Sequence, residues 1–562
     1  MMPQTRRRRL FAAFCLTLGL GPLMLPAAQP ALAAADRAEV AQRAAEQALR
    51  EGKCREAAEL LVAEAAASAD VAASVRATQL ALGCEQVPLA LQAARRWQAL
   101  APFSGEAALA RAIAALKLYQ LEEGRAALVV WRDSAAGGNQ DPRRFVDLLE
   151  QEVDSTALYR SFGPALVDEN SNAEVVLALA GLAQRSDDLK AAVAHAQRAL
   201  ALQDNLLEAQ VLLLRSQAGL GEHEAALAAA RELQPRLQGA DSFLVADLLL
   251  AAGREEAARE ELLRLRADER LAEEADRRLG ALALAQGDEA EAERRFTALL
   301  AQRGSTAIAL LHLAQIAERR GDWARAQRAY PLLADGPYSR SALAGLARVL
   351  LRQGKRDQAL ALFDEQERKQ PGSAVELIAT RAAVLAATGD PAAAVVALDA
   401  GLLRHPGHPS LEYERATALE RAGQHREAER AFEQMLRKRP DDPGIANALG
   451  FTLADHGRQL PRAERLVRQA LAVSPDNPAI QDSLGWVLFR RGRLDEAGPW
   501  LEQAWLRSRD AEIGAHFGEY LWRKGEQGRA HFVWQQARNA APDNPLLAET
   551  VQRLTGEPAA AR

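Results

Sequence analysis

Small, large and glycine positions recur in fixed phase along the C-terminal two thirds of the chain. Glycine stands at 253, 287, 321, 354, 389, 423, 457, 492 and 525, spaced 34, 34, 33, 35, 34, 34, 35 and 33 residues apart, with Gly221 leading by 32. Seven residues before each is a small residue: Ala246, Gly280, Ala314, Ala347, Ala382, Ala416, Gly450, Gly485 and Gly518. Five after it comes alanine, from Ala226 to Ala530, with one slip to Ala463, where Gly457-Arg458-Gln459-Leu460-Pro461 holds an extra residue. Nine after it comes a large apolar group, such as Leu262, Phe296, Tyr330, Phe363, Leu398, Phe432, Leu501 or Trp534. A period in this range marks a stacked-repeat architecture. Two antiparallel helices of about a dozen residues approach closely only where side chains are small, and a large residue fills the gap beside the contact. Glycine ends the first helix in the left-handed conformation that other residues enter at a cost.

The turns between repeats are equally regular. In Pro440-Asp441-Asp442-Pro443, Pro475-Asp476-Asn477-Pro478 and Pro542-Asp543-Asn544-Pro545 the first proline stops a helix, Asp or Asn caps the next, and the second proline enters its first turn. Before Asn205 the pattern fades. Gly52 and Ala57 keep the glycine-to-alanine spacing, but Ala135-Ala136-Gly137-Gly138-Asn139 is a turn and 143–168 departs from phase. The expected layout is a leader at 1–33, divergent helical repeats at 34–135, an irregular junction and helix pair at 136–204, a regular array at 205–556, and a tail at 557–562.

Asn447-Ala448-Leu449-Gly450-Phe451 and Ser483-Leu484-Gly485-Trp486, with Asp495-Glu496-Ala497, resemble the tetratricopeptide-repeat (TPR) consensus, over about ten repeats from 205 to 554. The resemblance implies an all-α, right-handed TPR α-solenoid of antiparallel helix pairs that binds proteins. The whole layout is similar to periplasmic TPR adaptors of Gram-negative bacteria, which dock a carboxyl-terminal processing protease and present cell-wall hydrolases to it. The segment from Asn447 to Ala497, with its inserted residue, carries that likeness. TPR arrays also serve envelope export and polysaccharide secretion, and that alternative stays open.

Composition adds limits. At 562 residues the chain is too long for one core, and charged residues at 26% with aromatics at 5% favour helix over strand. Arg6–Arg9, the apolar run Leu10–Leu25 and Ala31-Leu32-Ala33 read as an export leader cleaved after Ala33. Cleavage removes four positive charges and moves the net charge from −5 to −9, which gives no support for a nucleic-acid partner. Phe14 before Cys15 does not suit lipidation, and the apolar run is too short and interrupted to span a bilayer comfortably. The expected location is therefore periplasmic, without a direct membrane span in the mature chain, and with protein partners of the cell envelope.

Cys54 and Cys84 remain after cleavage. Neighbouring helices of a TPR stack run antiparallel, so the start of one lies beside the end of the other, within the roughly 4.4–6.8 Å that a disulfide needs. No phosphate loop, HExxH, G-x-S-x-G or CxxC occurs, so neither an enzyme nor a cofactor is expected. His405-x-x-His408 lies in a repeat turn without a third ligand, and capping and exposure explain it better than a metal. Five of eight tryptophans fall between 486 and 534. Trp486 and Trp522 lie on first helices, where TPR positions tend to face the concave groove. By the same phase Asn447, Phe451, Asp482, Phe489, Arg490, His516 and Arg523 lie near them. Aromatics with arginine are enriched at binding hot spots, and the competing reading is packing beneath a C-terminal helix at Leu546–Leu554.

Overall fold

A computed structural model describes residues 30–134, 142–167, 171–302, 304–541 and 544–556. Arg6–Arg9, Leu10–Leu25, Ala135–Asn139 and the tail 557–562 lie outside these residues, while Ala31-Leu32-Ala33 falls within helix Pro30–Arg50. The described residues form 31 α-helices with short 3-10 turns and no strand. No helix among them is long and apolar enough to cross a membrane. The fold is an all-α solenoid of antiparallel helix pairs.

Its local rules follow the sequence pattern. All ten repeat glycines, from Gly221 to Gly525, have positive φ between 63° and 92°. The alanines five residues on are fully buried, Ala258, Ala292, Ala359, Ala394, Ala497 and Ala530 each at 0% exposure. Where the small position is glycine, it faces the large residue of its own repeat. A β-carbon on Gly280 would meet Phe296 at 2.9 Å, one on Gly485 would meet Leu501 at 2.6 Å, and one on Gly450 would meet Val467 at 2.6 Å. Asp442 caps Ile445, Asn477 caps Ala479 and Ile480, and Asn544 caps Leu547, each followed by proline in the first helical turn. The inserted residue is absorbed by Gln459, itself left-handed at φ 45°.

The same turn also runs where glycine is missing. Glu85, Tyr119 and Asp187 have φ of 54°, 57° and 56°, and each closes the first helix of a pair. Tyr119 and Asp187 are separated by twice 34 residues, and midway between them Val153 lies in the turn that joins Pro142–Leu149 to Ser155–Leu166. Repeat geometry thus extends through segments in which the glycine signal is absent.

Contacts sort the chain into two units, Met1–Asn170 with Trp323–Ala431, and Ser171–Asp322 with Phe432–Arg562. Each unit joins segments remote in sequence by setting a turn inside one repeat against a turn between two others. In the first unit, Gln86 Nε2 lies 3.0 Å from His405 Nδ1 and donates to the Arg404 carbonyl at 3.2 Å. Arg55 donates to the Leu403 carbonyl at 3.1 Å. In the second, the Asp476 amide donates to the Asp187 carbonyl at 2.8 Å, and the Asp476 carboxylate accepts from the Leu189 amide at 3.0 Å and from Arg507 at 2.8 Å. Asn477 Nδ2 donates to Asp187 Oδ2 at 2.8 Å.

Candidate functional site

A period of 33 to 35 residues brings equivalent positions of successive first helices side by side. Helix Pro443–Asp455 packs on Pro478–Arg490, which packs on Ala511–Arg523, which packs on Pro545–Thr555. Asn447 and Asp482 each stand three residues before the small position, Phe451 and Trp486 one after it, and Asp455, Arg490 and Arg523 five after it. The side chains therefore line up in rows that cross the helices.

The rows are bonded to one another. His516 Nδ1 lies 2.8 Å from Asp482 Oδ2, and its ring stacks on Trp486 at 4.3 Å and tilts against Phe451 at 5.7 Å. Trp486 stacks in turn on Phe489 at 5.1 Å and donates its indole N–H to Asp455 Oδ1 at 3.2 Å. Arg490 lies over the Trp486 ring at 5.6 Å and donates to the Asp455 carbonyl, while Arg523 covers Phe489 at 5.5 Å. Burial opposes the charge on His516, but the negative field of Asp482, with Asp455 and Glu512 behind it, outweighs burial and raises its pKa. Asp482 Oδ1, Gln481 Oε1 and Asn447 Oδ1 are buried acceptors without a hydrogen-bond partner among the described residues. Such atoms carry an unmet demand for a donor.

The nine expected residues divide by exposure. Asp482, Trp486, Phe489 and His516 are buried at 3–5%, so they form the floor of the face and not its contact surface. Asn447, Phe451, Arg490 and Trp522 are half-buried, and Arg523 is exposed. The two tryptophans expected to act alike differ. Trp486 belongs to the row of stacked rings, whereas Trp522 packs its edge against His531 at 5.6 Å and tilts on Trp534 at 5.7 Å, both on the second helix of its own repeat. The C-terminal helix is fastened to this face through Arg553, which forks onto buried Glu519 at 2.6 and 3.2 Å. Sequence reading omitted Asp455 and Glu519. Their register marks them, since Asp455 is in the row of Arg490 and Glu519 in the row of Trp486.

Two other candidates are placed. Cys54 and Cys84 form a disulfide with a Cα–Cα distance of 5.6 Å, Cys84 buried and Cys54 half-exposed. His405, expected to be exposed in its turn, is instead 7% exposed because Gln86 covers it, and burial lowers its pKa. With Nδ1 facing the Gln86 amide, that nitrogen is not open to a metal.

Tetratricopeptide-repeat family models match residues 277–330, 313–374, 385–450 and 447–511. A TPR repeat-containing protein of Pseudomonas aeruginosa is 29% identical over 245 residues, covering 44% of this chain and 42% of that protein. The match thus spans less than half the length of that relative. Among solved structures, the chain is similar to a tetratricopeptide repeat protein from Parabacteroides merdae, at 17% identity and a TM-score of 0.33, over 45% of this chain and 100% of that one. It is also similar to yeast Tom70, at 14% identity and a TM-score of 0.33, over 92% and 99% of the two chains.

Proposed function

We propose that this tetratricopeptide-repeat chain is a non-catalytic adaptor of the bacterial cell envelope, which holds a processing protease or hydrolase and its substrates. The observation that carries the reading is the four-helix face from Asn447 to Arg553. It combines a floor of stacked rings with arginines at its edge. Aromatic bodies and fork-shaped guanidinium groups are the chemistry of protein hot spots. On this reading Asn447, Phe451, Arg490, Trp522 and Arg523 touch the partner. Asp482, Trp486, Phe489 and His516 hold that surface in place. The leader motif and the mature charge support an envelope location and argue against nucleic acid.

The test is affinity capture from envelope extracts with the mature protein and two variants, Arg490→Glu and Arg523→Glu. Each should weaken capture of a protease or hydrolase by more than about 1 kcal/mol, with helicity and melting nearly unchanged. Equal capture by all three proteins would remove this face from the reading. Recovery of transport or polysaccharide-export proteins would replace the protease partner by an export complex.

A further inference from the structure

The Cys54–Cys84 disulfide lies beside a contact made far along the chain. Each cysteine is followed closely by a donor to one helix end. Arg55, next to Cys54, donates to the Leu403 carbonyl at 3.1 Å. Gln86, two residues after Cys84, shares its amide among the Cys84 carbonyl at 3.3 Å, the Arg404 carbonyl at 3.2 Å and His405 Nδ1 at 3.0 Å. Leu403, Arg404 and His405 lie at the C-terminus of helix Pro391–Arg404, whose last carbonyls lack partners within the helix. Gln86 reaches them through an unusual path: Cys84 caps helix Val71–Gly83, Glu85 turns left-handed at φ 54°, and Gln86 caps the next helix. The disulfide ties the start of that path to Cys54 and so holds both donors at the spacing of the carbonyls they grip.

We infer that this disulfide is a redox-responsive clasp, which closes the turn at 403–405 onto the N-terminal repeats when oxidised and releases it when a dithiol reduces it. Cys54, the more exposed of the two cysteines, is the one the reductant attacks. A thiolate of the dithiol attacks Cys54 Sγ, the S–S bond breaks, and Cys84 leaves as a thiolate that takes up a proton. The second thiol of the reductant then displaces Cys54, which leaves as a thiol, and the reductant becomes a disulfide. Ala57, Ala58, Ala77 and Ala81 are fully buried in the packing of the same helices, which remains after reduction, so the two donors are freed from their fixed spacing while the repeats stay folded.

The Arg404–His405 bond reports the clasp directly, because its carbonyl is the one Gln86 holds. Tryptic cleavage after Arg404, followed by mass spectrometry under native conditions, is measured on four samples of the full chain. These are the oxidised protein, the protein reduced with dithiothreitol, Cys54→Ser/Cys84→Ser, and oxidised Gln86→Ala. Cleavage after Arg404 should rise about tenfold in the last three, as expected when a local opening becomes easier. Dithiothreitol should add nothing to the double-serine protein. Cleavage after Arg507, in the other unit, should stay constant. Unchanged cleavage after Arg404 with both thiols shown free by alkylation overturns the inference. So does unchanged cleavage in Gln86→Ala. A rise spread over residues 54–100 with loss of helicity also overturns it, since the disulfide would then only hold its own repeats folded.

Discussion

The two units solve the same problem with different chemistry. Each must hold a turn inside one repeat against a turn between two distant ones. The first uses the Gln86 amide and the Arg55 guanidinium on helix-end carbonyls, a buried histidine and a disulfide close behind them. The second uses carboxylates: Asp476 is 93% buried, gripped by Arg507 and the Leu189 amide, and Asp187 sits beside it under Asn477. A covalent bond makes the first junction depend on redox state but hardly on salt. Buried charges make the second depend on each partner being present, because an ion left alone in the interior costs more than the pair contributes. Both junctions thus set repeat turns against one another, and different side chains hold them.

Breaking the charged junction should have the largest effect. Asp476→Ala leaves the Arg507 guanidinium, only 14% exposed, without its carboxylate and removes the acceptor of the Leu189 amide. The expected loss is about 3–5 kcal/mol, read by denaturant unfolding and by hydrogen exchange in 186–189 and 474–507. Breaking the disulfide comes next. Its 30-residue separation corresponds to about 2–4 kcal/mol, so Cys54→Ser/Cys84→Ser should lower the stability of the N-terminal repeats by that amount. Exchange in 186–189 should not respond. A loss from Cys54→Ser/Cys84→Ser as large as that from Asp476→Ala would mean that the covalent junction is the stronger of the two.

The difference between the junctions was only partly legible in the sequence. Helix pairs, caps and the fit of Phe296 against Gly280 follow from side-chain size and backbone freedom, which are local properties and so leave a periodic trace. The N-terminal turns left no such trace, because Glu85, Tyr119 and Asp187 take the left-handed position without glycine. The alanines five residues after Glu85 and Asp187, Ala90 and Ala192, are fully buried and were the surviving signal. The pairing of Cys54 with Cys84 was readable from antiparallel helices. His405 was not: its burial depends on Gln86, 319 residues away, and no spacing encodes such a meeting. At the candidate site, register placed all nine residues on first helices, where the structure also has them. It could not tell that Asp482, Trp486, Phe489 and His516 would be buried in the floor, since exposure depends on the neighbours of all four helices.

A milder change sharpens the comparison within the first unit. Gln86→Ala removes donors to the Arg404 carbonyl and His405 while leaving the disulfide intact. The expected cost is about 1–2 kcal/mol, less than losing the covalent bond, because helix-end carbonyls can rebond to water once the turn lifts. Thermal unfolding followed by circular dichroism measures it. A cost equal to that of Cys54→Ser/Cys84→Ser would place the whole contribution of the disulfide in this one side chain.

The smallest effect is the most discriminating, because the two junctions should respond to acid in opposite directions. Burial, with Arg404 nearby, lowers the pKa of His405 despite the opposing field of Glu367. Once the junction opens, His405 takes up a proton near the ordinary value of 6.5, whereas the closed form resists it. Its contribution is therefore complete above that value and is lost as pH falls below it towards the depressed one. Asp187 has the reverse sign. Burial raises its pKa, Asn477 and Arg507 counteract in part, and Asp476 pushes it higher. The closed form then binds the proton more readily than the open one, so acid favours closure as pH falls through the raised value towards 3.8, the ordinary carboxyl value. Hydrogen exchange at pH 7.5 and pH 5, corrected for intrinsic rates, should show faster opening at 401–408 and no faster opening at 186–189. Parallel weakening of both segments would contradict the assignment of Asp187, and no change at 401–408 would contradict the buried neutral state of His405.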